Sequence, residues 1–252
     1  SVGDALGLPR EGLSPDRARK LFGSPPLRHR LLAGRGMVSD DAEHLVMTAR
    51  ALIASAGDTQ AFGRSLAQQI RWWLLSAPVG IGLGTLRACL RLCVGYGPAR
   101  SGVPSAGNGP AMRAPIIGAW LGEDTARLRE LVRVCTRITH TDSRAEQGAL
   151  AVALCAAGAA ASGPPEDPSV LVRAIADQIA GDQLREKLGE VAELLRSGAD
   201  RDELSSRLGF ERGVSGYINN TVPAALFCAL RYAVFREAVE QVIMIGGNSD
   251  TT

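Results

Sequence analysis

The apolar residues of this 252-residue chain recur at helical spacing in one segment after another. Sustained alternation of apolar and polar residues, which is typical of a half-buried strand, does not occur in any stretch of the sequence. Apolar residues make up 46% of the chain but aromatic residues only 4%, so the core must be built mainly from Ala, Leu, Val and Ile. Such side chains suit closely packed helices. The pattern therefore predicts an all-α fold, with a single compact multi-helix domain over residues 1–252.

Capping residues, glycines and prolines predict where the helices begin and end. Ser14-Pro15-Asp16 opens a short helix that Gly23 can end, because Pro suits the first helical position and Gly the residue after the last turn. The Gly-, Pro- and Ser-rich stretch 95–109 predicts a long functional loop. Further helices are expected at 40–57, from Asp58 to Pro78, at 86–94, from Pro110 through Ile117, and at 124–139, 142–161, 170–180, 183–195, 201–208, 221–232 and 235–244.

Two stretches concentrate oxygen ligands. Ser39-Asp40-Asp41 stands where a helix begins, and Asn248 to Thr252 closes the chain with the same mixture of hydroxyls and carboxylates. Ser39 can cap that helix, and carboxylates in a first turn are favoured by its unpaired backbone N–H groups, so simple capping is one interpretation. The other is a magnesium site, because this ion prefers octahedral oxygen coordination and a fold can bring two such loops together.

Four further stretches fall in order along the chain. They are Gly3-Asp4-Ala5-Leu6-Gly7 with Glu11, Ser105 to Arg113, Thr139-His140-Thr141-Asp142, and Ser215-Gly216-Tyr217. Together with the two oxygen clusters, they resemble the ADP-ribosylglycohydrolase family, the ADP-ribosyl hydrolases of the dinitrogenase reductase-activating glycohydrolase type. The resemblance runs from the first residues to the last. It implies an all-α fold with a metal-containing cleft.

The resemblance also implies a paired-magnesium site that binds the ribose hydroxyls next to the bond being cut. Its ligands come from a Thr-Asp-Asp cluster and an Asp-x-Asp-Thr cluster. The matching metal ligands here are Ser39, Asp40, Asp41, Asn248, Asp250 and Thr251. Ser39 in place of Thr keeps the hydroxyl, whereas Asn248 in place of Asp removes a charge, so one of the two metals is expected to be loosely held or absent. Magnesium is the expected ion, and manganese is the alternative.

The resemblance assigns the chemistry of cleavage to a carboxylate. Glu11 matches the family's glutamate that follows the Gly-Asp-Ala-Leu-Gly motif, and we expect it to activate water or substrate near the anomeric carbon, with Asp41 as the rival. An exposed loop glutamate is the alternative interpretation. His44, four residues after Asp40, is expected to pack or to support a ligand, because magnesium prefers oxygen to nitrogen.

Substrate binding is expected at one loop and two ring side chains. The family's diphosphate- and ribose-binding loop matches Ser105, Ala106, Gly107, Asn108 and Gly109, where glycines allow the backbone N–H groups to approach an anion. His140 and Tyr217 match positions that line the family's cleft. A histidine at a helix end and a half-buried tyrosine are also common structural residues, so a structural role is the alternative for both.

Charge and cysteine usage limit the expected partners. The formal charge is +2 and the arginines are scattered, as at Arg127, Arg129 and Arg133, so no nucleic-acid partner is expected. The family resemblance implies an ADP-ribosylated protein or ADP-ribose as partner, and we expect a monomer. Five cysteines without CxxC spacing predict reduced thiols and a cytoplasmic protein. No uncharged run offers the ~20 apolar residues of a membrane span. The abrupt start and the stop inside a motif leave room for missing residues at both ends.

The leading interpretation is a magnesium-dependent hydrolase that removes ADP-ribose from a modified protein side chain, most simply arginine, by cleaving the glycosidic bond at C1″. A non-catalytic ADP-ribose-binding or regulatory protein is the alternative that Asn248 keeps open. A structural protein resembling certain lens crystallins is a third class, and the acidic pair Asp40-Asp41 argues against it. Arginine, serine and nucleic-acid linkages all stay open.

Overall fold

The computed structural model describes residues 2–31, 34–76, 78 and 80–252, and it contains two compact units. The middle unit is Ser39–Gly163, and the terminal unit joins Ser1–Val38 to Pro164–Thr252. Across the described residues, the regular structure consists of helices and isolated β-bridges, which confirms the all-α prediction. A single domain over residues 1–252 stays a prediction.

The α-helices are numbered in chain order. In the described part of the chain they are α1 (Val2–Gly7), α2 (Pro15–Phe22), α3 (Asp40–Ser55), α4 (Thr59–Trp73), α5 (Leu83–Cys93), α6 (Ala114–Leu121), α7 (Thr125–Arg137), α8 (Ser143–Ser162), α9 (Pro168–Ala176), α10 (Asp182–Ser197), α11 (Arg201–Leu208), α12 (Ile218–Arg231) and α13 (Phe235–Ile245).

Local capping chemistry accounts for many of these boundaries. The aspartates predicted to begin α4, α7 and α8 are N-caps, and the side chain of each accepts a hydrogen bond from a backbone N–H of the first turn. Helix α11 has the predicted bounds, and a capping box between Asp200 and Glu203 holds its start. The predicted extension of α4 to Pro78 crosses Ala77, which lies outside the described residues.

Several elements differ from the sequence prediction. Pro110 begins a 3-10 turn (Ala111–Arg113), and the α-helix starts only at Ala114, so the expected helix N-terminus at Pro110 is wrong. Helix α9 ends at Ala176, four residues earlier than expected. Helix α1 was not predicted, because two of its six residues are glycines and so little periodicity is visible.

In the middle unit, α6 packs along α8 at very short range. A side chain at Gly118 would overlap the carbonyl of Ala153, so only glycine allows the two helices to approach this closely. Helix α8 is rich in alanine and glycine, and its predicted close approach to a neighbour is confirmed. Leucine, isoleucine and cysteine side chains from α3 to α8 fill the rest of this core, including Leu52, Leu66, Cys89, Ile117, Leu131 and Leu150.

In the terminal unit, α10 packs on α9 and α12, and α12 packs on α13. The last residues of the chain then join two earlier segments. Gly247 bridges to Leu13 on one side and to Val214 on the other. Gly7 lies against the backbone of Ser249 with no room for a side chain, and the Ser249 hydroxyl donates to its carbonyl at 3.1 Å. These contacts fix the C-terminal cluster against the segment that carries Glu11.

Helix α8 is long and apolar enough to cross a membrane by length and composition alone, contrary to the expectation from uncharged runs. Half of its apolar window is buried inside the protein. Core helices of water-soluble proteins pass the same test, so this property does not identify a membrane span.

Candidate active site

The first oxygen cluster lies at the start of α3 in the middle unit. The Ser39 hydroxyl caps the helix by accepting from the N–H of Asp41 at 3.3 Å, and it lies 3.2 Å from the Oδ2 of the same residue, as predicted for a cap. Asp40 and Asp41 are nevertheless buried, at 6% and 8% exposed, whereas ordinary capping carboxylates are exposed. A side chain at Gly80 would come within 2.9 Å of Asp40 Oδ1, so the backbone also approaches this cluster closely.

The predicted substrate loop, 105–109, surrounds the ring of His140. Side chains placed at Gly84, Gly107 or Gly109 would come within 3.0 to 3.2 Å of this imidazole. The N–H of Gly107 donates to the Ser105 hydroxyl, which closes the loop on itself. The structure therefore brings together the loop and His140, although the ring is buried beneath the loop. A direct contact between His140 and a ligand stays a prediction.

A fully buried arginine joins this loop region to α3. One nitrogen of Arg113 lies 3.1 Å from His44 Nδ1, and the other donates to the Thr139 hydroxyl at 2.6 Å. Thr139 in turn lies 2.9 Å from Nδ1 of His140. Because a guanidinium only donates, His44 must accept at Nδ1 and carry its proton on Nε2. His44 also packs edge-on against the ring of Trp73, so it packs as expected.

The two imidazoles of this network are neutral at physiological pH. Burial, and then the nearby charge of Arg113, lowers the pKa of His44 well below its usual range and that of His140 to about 3. No carboxylate is among the described hydrogen-bond partners of Arg113, which are His44, Thr139 and the carbonyl of Cys135. The loop therefore covers a buried positive charge.

The second oxygen cluster lies in the terminal unit, where it meets the N-terminal segment. Gly12 donates to the carbonyl of Gly247, and Gly247 donates to that of Leu13. This pairing places Asp250 within hydrogen-bonding distance of Glu11. The charge of the buried Asp4 raises the pKa of both residues. The carboxyl groups of Asp4, Glu11 and Asp250, from opposite ends of the sequence, thus lie in one cluster.

The crowding of these carboxyl groups shows in their acidity. Glu11 is exposed as a residue, as in the alternative interpretation of the sequence. Desolvation of its carboxyl group, then the charge and hydrogen bond of Asp250, and then the charge of Asp4 nevertheless raise the pKa of Glu11 to about 7. Burial also raises the pKa of Asp250. Negative charge in this group is therefore costly in the protein alone, and a cation would reduce that cost.

Tyr217 lies in the terminal unit at the N-cap of α12. Its hydroxyl donates to the side chain of Gln183 at 2.6 Å and accepts from Asn219 at 3.1 Å. The residue is half-buried, as expected. A role in ligand binding stays a prediction.

Comparisons with known proteins place this chain in a family. The family model described as ADP-ribosylglycohydrolase matches residues 1–252. The chain belongs to the ADP-ribosylglycohydrolase family. It is 30% identical over 259 residues to an uncharacterised protein of Archaeoglobus fulgidus, covering all of this chain and 80% of that relative. It is also similar to the structure of an ADP-ribosylglycohydrolase-related protein complex, with a TM-score of 0.71, 25% identity, and 99% of this chain and 79% of that chain covered.

Family membership confirms the resemblance seen in the sequence and supports a glycohydrolase role in general, with an ADP-ribosylated substrate. The predicted metal ligands of this ADP-ribosylglycohydrolase fall in both units, with Ser39, Asp40 and Asp41 in the middle unit and Asn248, Asp250 and Thr251 in the terminal unit. Among the described residues, no group of three or more His, Cys, Asp or Glu side chains is placed to hold a metal. The metal assignments therefore stay predictions.

Sequence reasoning assigned no role to Asp4 or Arg113, although both belong to the motifs that carry the family resemblance. Asp4 is recognisable as an acidic residue between two glycines, in a segment that also leads to Glu11. Arg113 is followed by the apolar run of α6, so a buried charge could have been suspected there. Neither signal says which partners the side chain has.

Proposed function

We propose that this protein is a magnesium-dependent ADP-ribosyl hydrolase that removes ADP-ribose from a modified protein side chain, most simply arginine, by cleaving the bond at C1″. The observation that carries the proposal is the group formed by Glu11, Asp250 and Asp4 in the terminal unit. Cleavage of a glycosidic bond passes through an oxocarbenium-like state, which a nearby carboxylate stabilises.

The donor atoms fit a hard cation. Ser39, Asp40 and Asp41 offer hydroxyl and carboxylate oxygens, and the second set adds the amide oxygen of Asn248. The two buried imidazoles of the middle unit are held in the Arg113 network. Magnesium would be held by oxygens of Ser39, Asp40 and Asp41 in the middle unit and by oxygens of Asn248, Asp250 and Thr251 in the terminal unit. When bound, it would supply positive charge to polarise ribose hydroxyls and water.

Side chains and backbone groups of the protein would bind the substrate and transfer the proton. The glycine-rich loop 105–109 offers backbone N–H groups to a diphosphate, and the buried charge of Arg113 favours an anion above it. Neutral His140 holds the loop from below, without adding a titrating charge. Glu11 would accept a proton from the attacking water, and Asp250 would keep the Glu11 side chain in place.

A panel of defined substrates tests this proposal. Proteins ADP-ribosylated on arginine or on serine, and an ADP-ribosylated oligonucleotide, are incubated with the enzyme in magnesium or in a chelator, and free ADP-ribose is measured. We expect release from the arginine-linked substrate in magnesium alone. Equal release in the chelator would contradict the role of the metal, and release from a different substrate would contradict the linkage.

A non-catalytic ADP-ribose-binding protein is the second candidate, and Asn248 is the observation that favours it. An amide in place of a carboxylate leaves the C-terminal cluster with less negative charge to hold a second dication. Binding of ADP-ribose in calorimetry without turnover of any substrate in the panel would favour this candidate.

A further inference from the structure

A long stretch of the middle unit contains no acidic residue. Between Asp58 and Glu123 the sequence has neither Asp nor Glu, yet it has six arginines: Arg64, Arg71, Arg87, Arg91, Arg100 and Arg113. The chain as a whole has 26 acidic and 28 basic side chains, so this segment departs strongly from its average. The side chains of helices α4 and α5 and of the loop after them therefore carry positive charge only, although the carboxylate of Glu43 on α3 reaches this region and accepts from the Trp73 indole at 2.6 Å.

Two residues of α4 form an exposed ridge within this segment. Gln68 and Trp72 are four residues apart, so they lie on the same face of the helix, and we call them the Trp72 ridge. Trp72 is 58% exposed, whereas its neighbour Trp73 is buried and bonded to Glu43. Trp72 is therefore not needed to complete the core.

The Trp72 ridge separates two grooves of about 330 Å³ each. One groove is lined by Arg64 and Arg71 of α4 and by Tyr96 of the following loop. The other is lined by Met47 and Arg50 of α3. Both grooves share Gln68 and Trp72, and neither has an acidic residue among its described lining residues.

Arginine and aromatic groups are interleaved around the first groove. The guanidinium of Arg71 lies 5.8 Å from the ring centre of Trp72, and those of Arg91 and Arg100 lie 5.9 and 5.8 Å from that of Tyr96. None of these arginines takes part in an ion pair within the described residues. The scattered arginines of the sequence are thus gathered with aromatics by the fold.

We propose that the Trp72 ridge and its two grooves bind single-stranded nucleic acid. Phosphates would lie on the arginines of the grooves, and a base would stack on the exposed face of Trp72. The combination of aromatic faces with guanidinium groups that form no ion pair within the described residues favours a nucleic acid over an acidic peptide or an anionic lipid surface, because each nucleotide brings a flat ring together with its charge. This proposal departs from the expectation, drawn from net charge, that no nucleic acid binds.

Fluorescence anisotropy of a labelled oligothymidylate, titrated with the whole protein between about 50 and 200 mM salt, tests the proposal. The three arginines that line the grooves, Arg50, Arg64 and Arg71, predict a slope of about −2.1 for the logarithm of the binding constant against the logarithm of salt concentration. Trp72→Ala should weaken binding about fivefold or more, since one stacked base is lost. The double variant Arg64→Gln with Arg71→Gln should reduce the slope by about 1.4.

Matched controls make the result specific to this surface. Trp120 is similarly exposed at 52% but lies three residues before Glu123, and Arg196 and Arg207 are exposed arginines already paired with glutamates. Trp120→Ala, and Arg196→Gln with Arg207→Gln, should leave affinity and slope unchanged. Circular dichroism checks that each variant is folded, and the salt slope of the wild type tests the proposal without any variant.

Several outcomes would overturn the proposal. They are an absence of binding by the wild type at low salt, equal losses in the Trp72 and Trp120 variants, and tighter binding of oligo-aspartate or of phosphatidylserine-containing vesicles than of oligothymidylate at the same salt. This experiment does not measure the release of ADP-ribose from a substrate, so its result is independent of the proposed enzymatic function.

Discussion

The two units of this protein build their functional groups in opposite ways. In the middle unit, residues adjacent in sequence stay adjacent in space, as in Ser39-Asp40-Asp41 and the loop 105–109, and a buried cation, Arg113, supports them. In the terminal unit, Asp4, Glu11 and Asp250 come from opposite ends of the sequence, and backbone pairing at Gly247 joins them.

The difference concerns electrostatics as well as sequence distance. The loop of the middle unit covers a positive charge and neutral imidazoles, which suits an anionic group such as a diphosphate. The terminal unit crowds negative charge, which suits a cation and the carbocation-like sugar of a glycosidic transition state.

The largest expected effect tests whether the buried aspartates of α3 act as more than caps. Asp41→Asn should reduce magnesium-dependent release of ADP-ribose by about 10³-fold or more, because metal ions contribute several kcal/mol to such reactions. Asp124→Asn, which changes an exposed cap on α7, is the matched control and should affect only stability. Similar activity in both variants would show that Asp41 is a capping residue.

Glu11→Gln tests the carboxylate group of the terminal unit. It should slow turnover by about 10²–10⁴-fold and leave ADP-ribose affinity unchanged, because the amide keeps the shape and removes the base. Stability should not fall, since one of three crowded negative charges is removed. The control is Glu211→Gln, an exposed glutamate of the same unit. Loss of affinity instead of turnover would make Glu11 a binding residue.

Arg113→Met tests the buried cation of the middle unit. We expect unfolding free energy to fall by about 3 kcal/mol, because His44, Thr139 and the Cys135 carbonyl lose a charged donor. Arg127→Met, which removes one part-buried bond to the Gly57 carbonyl, should cost about 1 kcal/mol. Urea denaturation measures both. Equal losses of unfolding free energy in the two variants would mean that the Arg113 network stabilises the fold no more than a single hydrogen bond does.

Asn248→Asp tests the metal capacity of the C-terminal cluster. Calorimetric titration should show one tightly bound magnesium ion in the wild type. In the variant, affinity for a second magnesium ion should rise about tenfold, because the carboxylate adds negative charge to the site. Asn220→Asp, elsewhere in the terminal unit, is the control and should change neither site. Two equally tight metals in the wild type would show that Asn248 is not a ligand.

The smallest expected effect concerns the loop over His140. In Gly107→Ala the new methyl group would lie 3.2 Å from Nε2 of His140, so the loop must shift slightly, and ADP-ribose affinity should fall about fivefold. Gly82→Ala adds a methyl group with no atom within 4 Å and is the control. Calorimetry with ADP-ribose compares the two. An unchanged affinity in Gly107→Ala would separate the loop from ligand binding.

The sequence predicted most helices, because caps and periodicity act over a few residues. The aspartates predicted to cap α4, α7 and α8 are the N-caps of these helices in the structure. Pro110 was misplaced as a helix start, since a proline at the first position fits a 3-10 turn as well as an α-helix. The motifs identified the candidate residues. The burial of Asp40 and Asp41 could not be predicted, because a Ser-Asp-Asp sequence is usually an exposed helix cap.

The sequence by itself determined the all-helical fold, the ends of many helices and the kinds of donor atom in each motif, because all of these depend on side chains and backbone groups close together in the chain. Only the tertiary structure decided that Arg113 is buried against His44 and Thr139, and that Asp4 acts on Glu11 and Asp250. It also gathered separate arginines around Trp72. Such partnerships depend on how distant helices pack and on which backbone groups pair, and local sequence carries little information about either.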